Sequence, residues 1–256
     1  MRGILKSIRN SYLAWLDSAL ESHIDPTAKL TISKKDVSLG GNIRVGKNSA
    51  LIIEDGVKFN GKLTIGDNCK MIIGKNSSFR KITINVIDGS EFIVGANCIF
   101  DADAFPNTIS VENGGKMKLA EHVRIQADIL VRFGGILKMG MHSSINWGSE
   151  IRCEEQVTIG EYCLMSYEVC IYDSNTHSSD WKERRETIPN RADETKRPKT
   201  KPVVIGNDVW IGKGATILKG TSIGNKSIVG IRTIVPSGTY AEESTIVSAK
   251  PIVFNK

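Results

Sequence analysis

Across residues 203–250 the chain divides without a slip into VVIGND, VWIGKG, ATILKG, TSIGNK, SIVGIR, TIVPSG, TYAEES and TIVSAK. The third place of the first six hexads holds Ile205, Ile211, Ile217, Ile223, Val229 and Val235, and the first place holds Val203, Val209, Ala215, Thr221, Ser227 and Thr233. A period of six fits neither a helix, whose apolar residues recur at three- and four-residue steps, nor a hairpin sheet, which needs longer strands between its turns. One short strand plus one corner per hexad does fit. Residues two apart on a strand point the same way, so both places face inward, while Gly206, Gly212, Gly224 and Gly230 take the corners. Such rungs stack about 4.8 Å apart around a continuous narrow core. The pattern predicts a β-solenoid.

A weaker block, VTIGEYCLMSYEVCIYDS, places Ile159, Met165 and Ile171 at the same spacing. Further upstream RVGKNSALIIEDGVKF, LTIGDNCKMIIGKNSSF, FIVGANCIF and LKMGMHSSI share an aliphatic–Gly–x–Asn/His unit at irregular distances. They are expected to form looser coils with longer corners around 88–89, 105–106 and 114–115. Near the start, Ile4, Ile8, Tyr12, Trp15, Leu16 and Ala19 fall on one face of an amphipathic helix. Its expected role is to cover the open end of the solenoid; contact with a membrane surface through Arg2, Lys6, Arg9 and Trp15 is the alternative. The expected divisions are an N-terminal helical cap over 1–24, irregular coils over 25–156, and regular repeat over 157–256 interrupted by a loop at 173–202.

Composition changes this picture little. Apolar residues make up 40%, charged residues 24% and aromatics 6% of the 256 residues, and the 24 glycines suit a chain with many tight corners. Neither a signal-peptide core nor a twenty-residue apolar run is present, so a cytoplasmic location is expected. Cys69, Cys98, Cys153, Cys163 and Cys170 lack any CxxC pair and read as small buried residues. A net charge of +6 favours an anionic partner. No helix-turn-helix pattern or aromatic–basic interleaving points to nucleic acid.

The stretch VVIGNDVWIGKGATILKGTSIGNKSIVG resembles the hexapeptide-repeat acyltransferase family. The resemblance, which extends over residues 157–250, implies an all-β fold: a left-handed parallel β-helix (solenoid) with three hexads per turn, here with a short N-terminal helix and one long inserted loop. The handedness comes from the family alone, because parallel crossovers are ordinarily right-handed. It also implies an acetyl-CoA-dependent O-acetyltransferase that works as a homotrimer on a sugar hydroxyl of a surface polysaccharide such as capsule or O-antigen.

The hexads break at DSNTHSSDWKERRETIPNRADETKRPKTKP, about thirty residues without apolar periodicity between two good stretches of repeat. Its eight basic residues from Lys182 to Lys201 exceed its six acidic ones, which suits a solvated loop or an anionic sugar. Acyl transfer from a thioester to a hydroxyl needs a base, donors for the developing oxyanion, and alignment of both substrates. His177 lies in this loop just before IGNDVWIG, where the family places its catalytic histidine, and an imidazole titrating near neutrality suits the task. Asp173, Glu168, Asp180 or a backbone carbonyl is the candidate to orient the ring. For the acceptor, the resemblance points to Asn146, with Asp173 and Trp181 as further contacts; Trp147 is a second ring able to stack on a sugar. For coenzyme A it points to Ser166, Lys213, Gly214, Ile231, Arg232 and Ser237, although Lys213 and Ile231 are larger than the residues common there.

Three alternatives compete. One is N-acetylation of an amino sugar by the same machinery. Another is a γ-type carbonic anhydrase, which would need His122, His142 and His177 to converge on zinc; no metal is expected under the leading reading. The third is a non-catalytic solenoid used as a binding surface. Cys170, in the alternating run VCIY, reads as a packing residue rather than a nucleophile.

Overall fold

A computed structural model describes residues 23–102, 107–187 and 199–247. The helix expected over 1–24 lies, but for its last two positions, outside the described residues; His23–Ile24 form a short strand. The described strands form two parallel sheets. One has ten strands, from Lys29–Ile32 to Gly238–Tyr240, and the other fifteen, from His23–Ile24 to Thr245–Ile246. Strands pair with their counterparts one coil later, in register except for shifts between Asn60 and Gly61 and between Ile125 and Ala127. The result is the all-β parallel solenoid foreseen from the hexads, consistent with a left-handed β-helix.

Alternation with period two sets the core. In the ten-stranded sheet Leu51 and Ile53, Met71 and Ile73, Phe92 and Val94, Met117 and Leu119 all point inward and are buried. The third-place aliphatics from Ile205 to Val235 are buried as the hexads require. Phe59, Phe79 and Phe100 continue the column with ring centroids 5.4 and 4.3 Å apart.

The upstream coils are longer rather than irregular. Ala50 faces Lys70 and Lys116 faces Ile136, steps of twenty residues, whereas Trp210 faces Ile228, a step of eighteen. The repeated aliphatic–Gly–x–Asn unit looked irregular because it occurs at two corners of the same coil. The corners at 46–49 and 66–69 precede the ten-stranded sheet; those at 74–77 and 95–98 follow it. The expected long corners at 88–89 and 114–115 are ordinary members of the first series. Between Asp101 and Thr108 the step does lengthen, since Arg80 faces Asp101 but Thr83 faces Thr108; residues 103–106 lie outside the described set.

The third corner changes character along the axis. Upstream, one strand such as Ser38–Val45 or Lys58–Ile65 bends across two faces. At Gly41 the bend demands φ of 92°, and a Cβ there would strike the Gly61 carbonyl. Three residues, Asn146, Trp147 and Gly148, then stand where the preceding coil has only Gln126. From there on the bend is a full turn, at 166–169, 212–215 and 230–233, and three short faces replace one short and one long.

Candidate functional site

The insertion leaves the solenoid at the first corner, between strands Cys170–Tyr172 and Val203–Ile205. Its two ends are joined before they part. The Lys201 amide donates to the Asp173 carbonyl (2.8 Å), Ser174 and Thr200 form an antiparallel bridge, and the Asn175 amide donates to the Lys199 carbonyl (3.2 Å). His177 emerges directly above this neck, held by its own amide to the Asn175 carbonyl (2.7 Å), and is exposed. Its ring has no hydrogen-bond partner among the described residues.

Past His177 the loop contains a helix that the six-residue period does not predict, α1, at Trp181–Thr187. Asp180 caps it, accepting from the Lys182 amide (2.8 Å), and the Ser178 hydroxyl donates to Glu183 (2.6 Å). The signature was legible as Asp180 followed three residues later by Glu183. Trp181 is 55% exposed, with the Arg185 guanidinium 5.1 Å from its ring centroid.

Each carboxylate considered for orienting the imidazole is engaged elsewhere. Asp180 caps α1, and Glu168 pairs with Lys213 (3.1 Å) at the third corner. Asp173 is buried, its carboxylate accepting from the amides of Glu154 (2.9 Å), Glu155 (2.8 Å) and Gln156 (2.8 Å). Burial pushes its carboxyl above the ordinary aspartate value, while those three N–H donors pull the other way. This corrects the expectation that Asp173 contacts an acceptor: no part of it reaches the surface. Beside it Tyr172 donates to Glu150, which also accepts from Arg152 (2.6 Å); burial first and then this Glu150 contact raise the phenol's pKa.

The remaining candidates gather at the third corner. The Gly214 amide donates to the Tyr167 carbonyl (2.9 Å) and the Arg232 amide to the Lys213 carbonyl (2.8 Å), so Lys213, Gly214, Ile231 and Arg232 lie on one column. Ser166 opens the turn below them, its amide on the Ile211 carbonyl (2.9 Å). Asn146 belongs to the same column, its side-chain amide donating to the Met165 carbonyl (3.2 Å). Trp147, which the sequence weighed as a sugar platform or as core, packs on Tyr167 with ring centroids 4.9 Å apart. Ser237 is not with this group. It sits at the first corner, donating to the Gly220 carbonyl (3.2 Å) and near the Lys201 ammonium (3.4 Å). Within one chain the candidates thus occupy two corners, separated by the face that carries Cys170–Tyr172, Thr216–Ile217 and Ile234–Val235.

His122 and His142 lie on the second corner, stacked at 4.6 Å with Tyr162 continuing the stack at 4.9 Å. Parallel rings aim their nitrogens side by side, and His177 rises from another corner, so the three histidines weighed for zinc do not converge. Among the described residues no helix is long and apolar enough to cross a membrane.

Residues 202–230 match the family model for the bacterial transferase hexapeptide (six repeats). No curated protein matches the sequence. Among solved structures, the polySia-specific acetyltransferase NeuO aligns with 91% of this chain and 90% of its own at 16% identity, with a TM-score of 0.49. The polysialic acid O-acetyltransferase OatWY aligns with 92% and 93% at 16% identity and a TM-score of 0.39. A hexapeptide-repeat acetyltransferase of Vibrio cholerae O1 biovar eltor, solved with acetyl coenzyme A, shares 27% identity over 47% of this chain and 59% of its own, with a TM-score of 0.38.

Proposed function

We propose, on the premise that residues 202–230 carry the hexapeptide repeat of bacterial transferases, that the protein moves an acetyl group from acetyl-CoA to a sugar hydroxyl of a surface glycan. One observation carries the reading: the insertion that interrupts the repeat closes on a bonded neck and presents an exposed histidine whose ring has no hydrogen-bond partner among the described residues, in the loop that leads into the matched segment. A loop so anchored, on so regular a scaffold, is a place for chemistry rather than a linker.

In this reading His177 takes the proton of the acceptor hydroxyl as its oxygen attacks the thioester carbonyl carbon. The carbon–sulfur bond breaks, coenzyme A leaves as the thiolate, and the proton held by His177 passes to that sulfur. No covalent enzyme intermediate is involved. Three of the carboxylates near His177 in sequence are engaged, so the ring acts without a carboxylate partner among them, with the tautomer set by backbone or substrate. Ser166, Gly214 and Ile231 offer main-chain groups to the pantetheine arm, and Lys213 and Arg232 offer charge to the phosphates. Asn146, Trp147 and Trp181 are the acceptor contacts.

The separation of the two corners in one chain supports a second element of the reading, a homotrimer in which His177 works on coenzyme bound along a neighbouring copy's third corner. Leu164, Trp210 and Ile228, which face one another on successive coils, are 57%, 53% and 39% exposed and give such an assembly its apolar contact.

The test is thioester cleavage from acetyl-CoA with a panel of sugars and glycan fragments, amino sugars included. Acceptor-dependent release by the wild type, reduced about 10²- to 10⁴-fold in a folded His177→Ala variant, is the expected result. Equal rates in the two proteins would remove His177 from the mechanism.

A further inference from the structure

We propose that Asp173 is a positioning residue for His177, acting through the loop neck; this rests on the catalytic reading of His177. In every coil from Lys29 to Ile136, the first amide of the short strand donates to the carbonyl just before the matching strand of the next coil. Lys29 donates to Ser49, Ala50 to Cys69, Lys70 to Ser90, Glu91 to Gly115, Lys116 to Gly135 and Ile136 to Glu155, at 2.7–3.0 Å. At Gln156 the series breaks, because there the chain runs out into the insertion. The amides of Glu154, Glu155 and Gln156 turn instead to the Asp173 carboxylate.

A carboxylate is the side chain suited to that place. Two acceptor oxygens with about four lone-pair sites serve several converging donors, and a buried N–H such as that of Glu154, left without an acceptor, costs about 1–3 kcal/mol. Asparagine offers one oxygen and would set its own N–H2 against the remaining donors. Asp173 therefore replaces the main-chain acceptor that the insertion displaces at Gln156 and gathers the neighbouring amides of Glu154 and Glu155 on the same carboxylate.

The same residue holds the neck. Its carbonyl accepts from Lys201, its amide donates to the Arg152 carbonyl (3.3 Å), and Lys201 in turn accepts from Gly220 (3.0 Å), tying both ends of the insertion to the coils on either side. Ser174–Thr200 and Asn175–Lys199 extend the neck. Thr176, at φ of 64°, then turns the chain, and the His177 amide closes on Asn175. An unbroken run of bonds connects the buried carboxylate to the backbone of His177, four residues away. Releasing the carboxylate frees the neck while the flanking coils keep their own ladders.

The experiment is amide hydrogen exchange on the full-length protein, wild type and Asp173→Asn, alongside acetyl transfer by both. Exchange should quicken in 154–156, 173–177 and 199–201 of the variant and stay unchanged in 108–131. kcat should fall about 10- to 100-fold, as for a displaced catalytic group, with the KM for acetyl-CoA unaltered. A disulfide across the neck, from Ser174→Cys with Thr200→Cys in the Asp173→Asn background, should restore kcat, which a general loss of structure would not permit. Unchanged exchange would overturn the clamp, and quickened exchange with unchanged kcat would overturn the positioning role. Should Asp173→Asn fail to fold, the wild type alone decides the clamp: the amides of Glu155 and Gln156 must exchange as slowly as strand amides, and rates of an exposed corner overturn it. A wild type that transfers no acetyl group while the variant's neck still loosens would overturn the catalytic reading and uphold the clamp.

Discussion

Burial sets the chemistry of four of the five thiols. The Cys98 thiol is pushed up to about 11 by loss of solvent, and burial raises Cys69, Cys153 and Cys163 as well. At pH 8 a thiol with a pKa near 11 is ionised to about one part in a thousand, and only the thiolate reacts. Half-buried Cys170 is the exception in exposure. A colorimetric thiol titration of the native protein at pH 8 is therefore expected to count one fast thiol, removed by Cys170→Ser, against all five in denaturant. The asparagines follow an equally local rule. Asn48, Asn68, Asn76, Asn97 and Asn113 all hold φ between 51° and 57°, the left-handed region that asparagine enters most readily among residues with a side chain. The repeated Asn in the sequence was thus a direct record of corner geometry.

Among the elements, the corners differ in what they tolerate. At Gly41 a methyl group would meet both a positive φ and the carbonyl of Gly61, whereas at Gly89, also at positive φ, it would meet nothing within 4 Å. Gly41→Ala is expected to cost about 1–3 kcal/mol through forced backbone movement and Gly89→Ala about 1 kcal/mol from conformational strain alone; thermal melts of the two variants check the order. The strands were legible because period-two alternation is a property of neighbours in the chain. The coil length was not, because the same four-residue unit marks two different corners and only the register says which is which. The helix α1 had its capping signature in plain view, at Asp180 and Glu183, but seven residues are too few to carry an apolar stripe.

At the scale of the whole molecule, the insertion is a detachable appendage. Val157 faces Val203, Leu164 faces Trp210 and Cys170 faces Thr216, all across the same forty-six positions, so the register passes it by undisturbed. Replacing 176–198 with a short Gly–Ser link, with the neck and Asp173 retained, should leave the β-sheet circular dichroism and the melting temperature within a few degrees of wild type and abolish acetyl transfer. The proposed trimer is a separate property, expected to depend on the exposed row Leu164, Trp210 and Ile228. Trp210→Glu places a charge in the middle of that row, and light scattering should find the variant smaller than the wild type; an unchanged mass would exclude this face from the assembly.

The sequence by itself determined the solenoid, its inward-facing residues, the place of the insertion and the histidine it carries, because each depends on spacing along a locally repeating chain. Tertiary structure alone decided the rest. Which corner each candidate occupies depends on the register between coils, and that is why Ser237 parts from Lys213 and Arg232. The role of Asp173 depends on which main-chain donors lose their partners where the chain leaves the solenoid. A carboxylate near a histidine reads the same in sequence whether it faces the ring or the backbone; three main-chain amides turned this one inward.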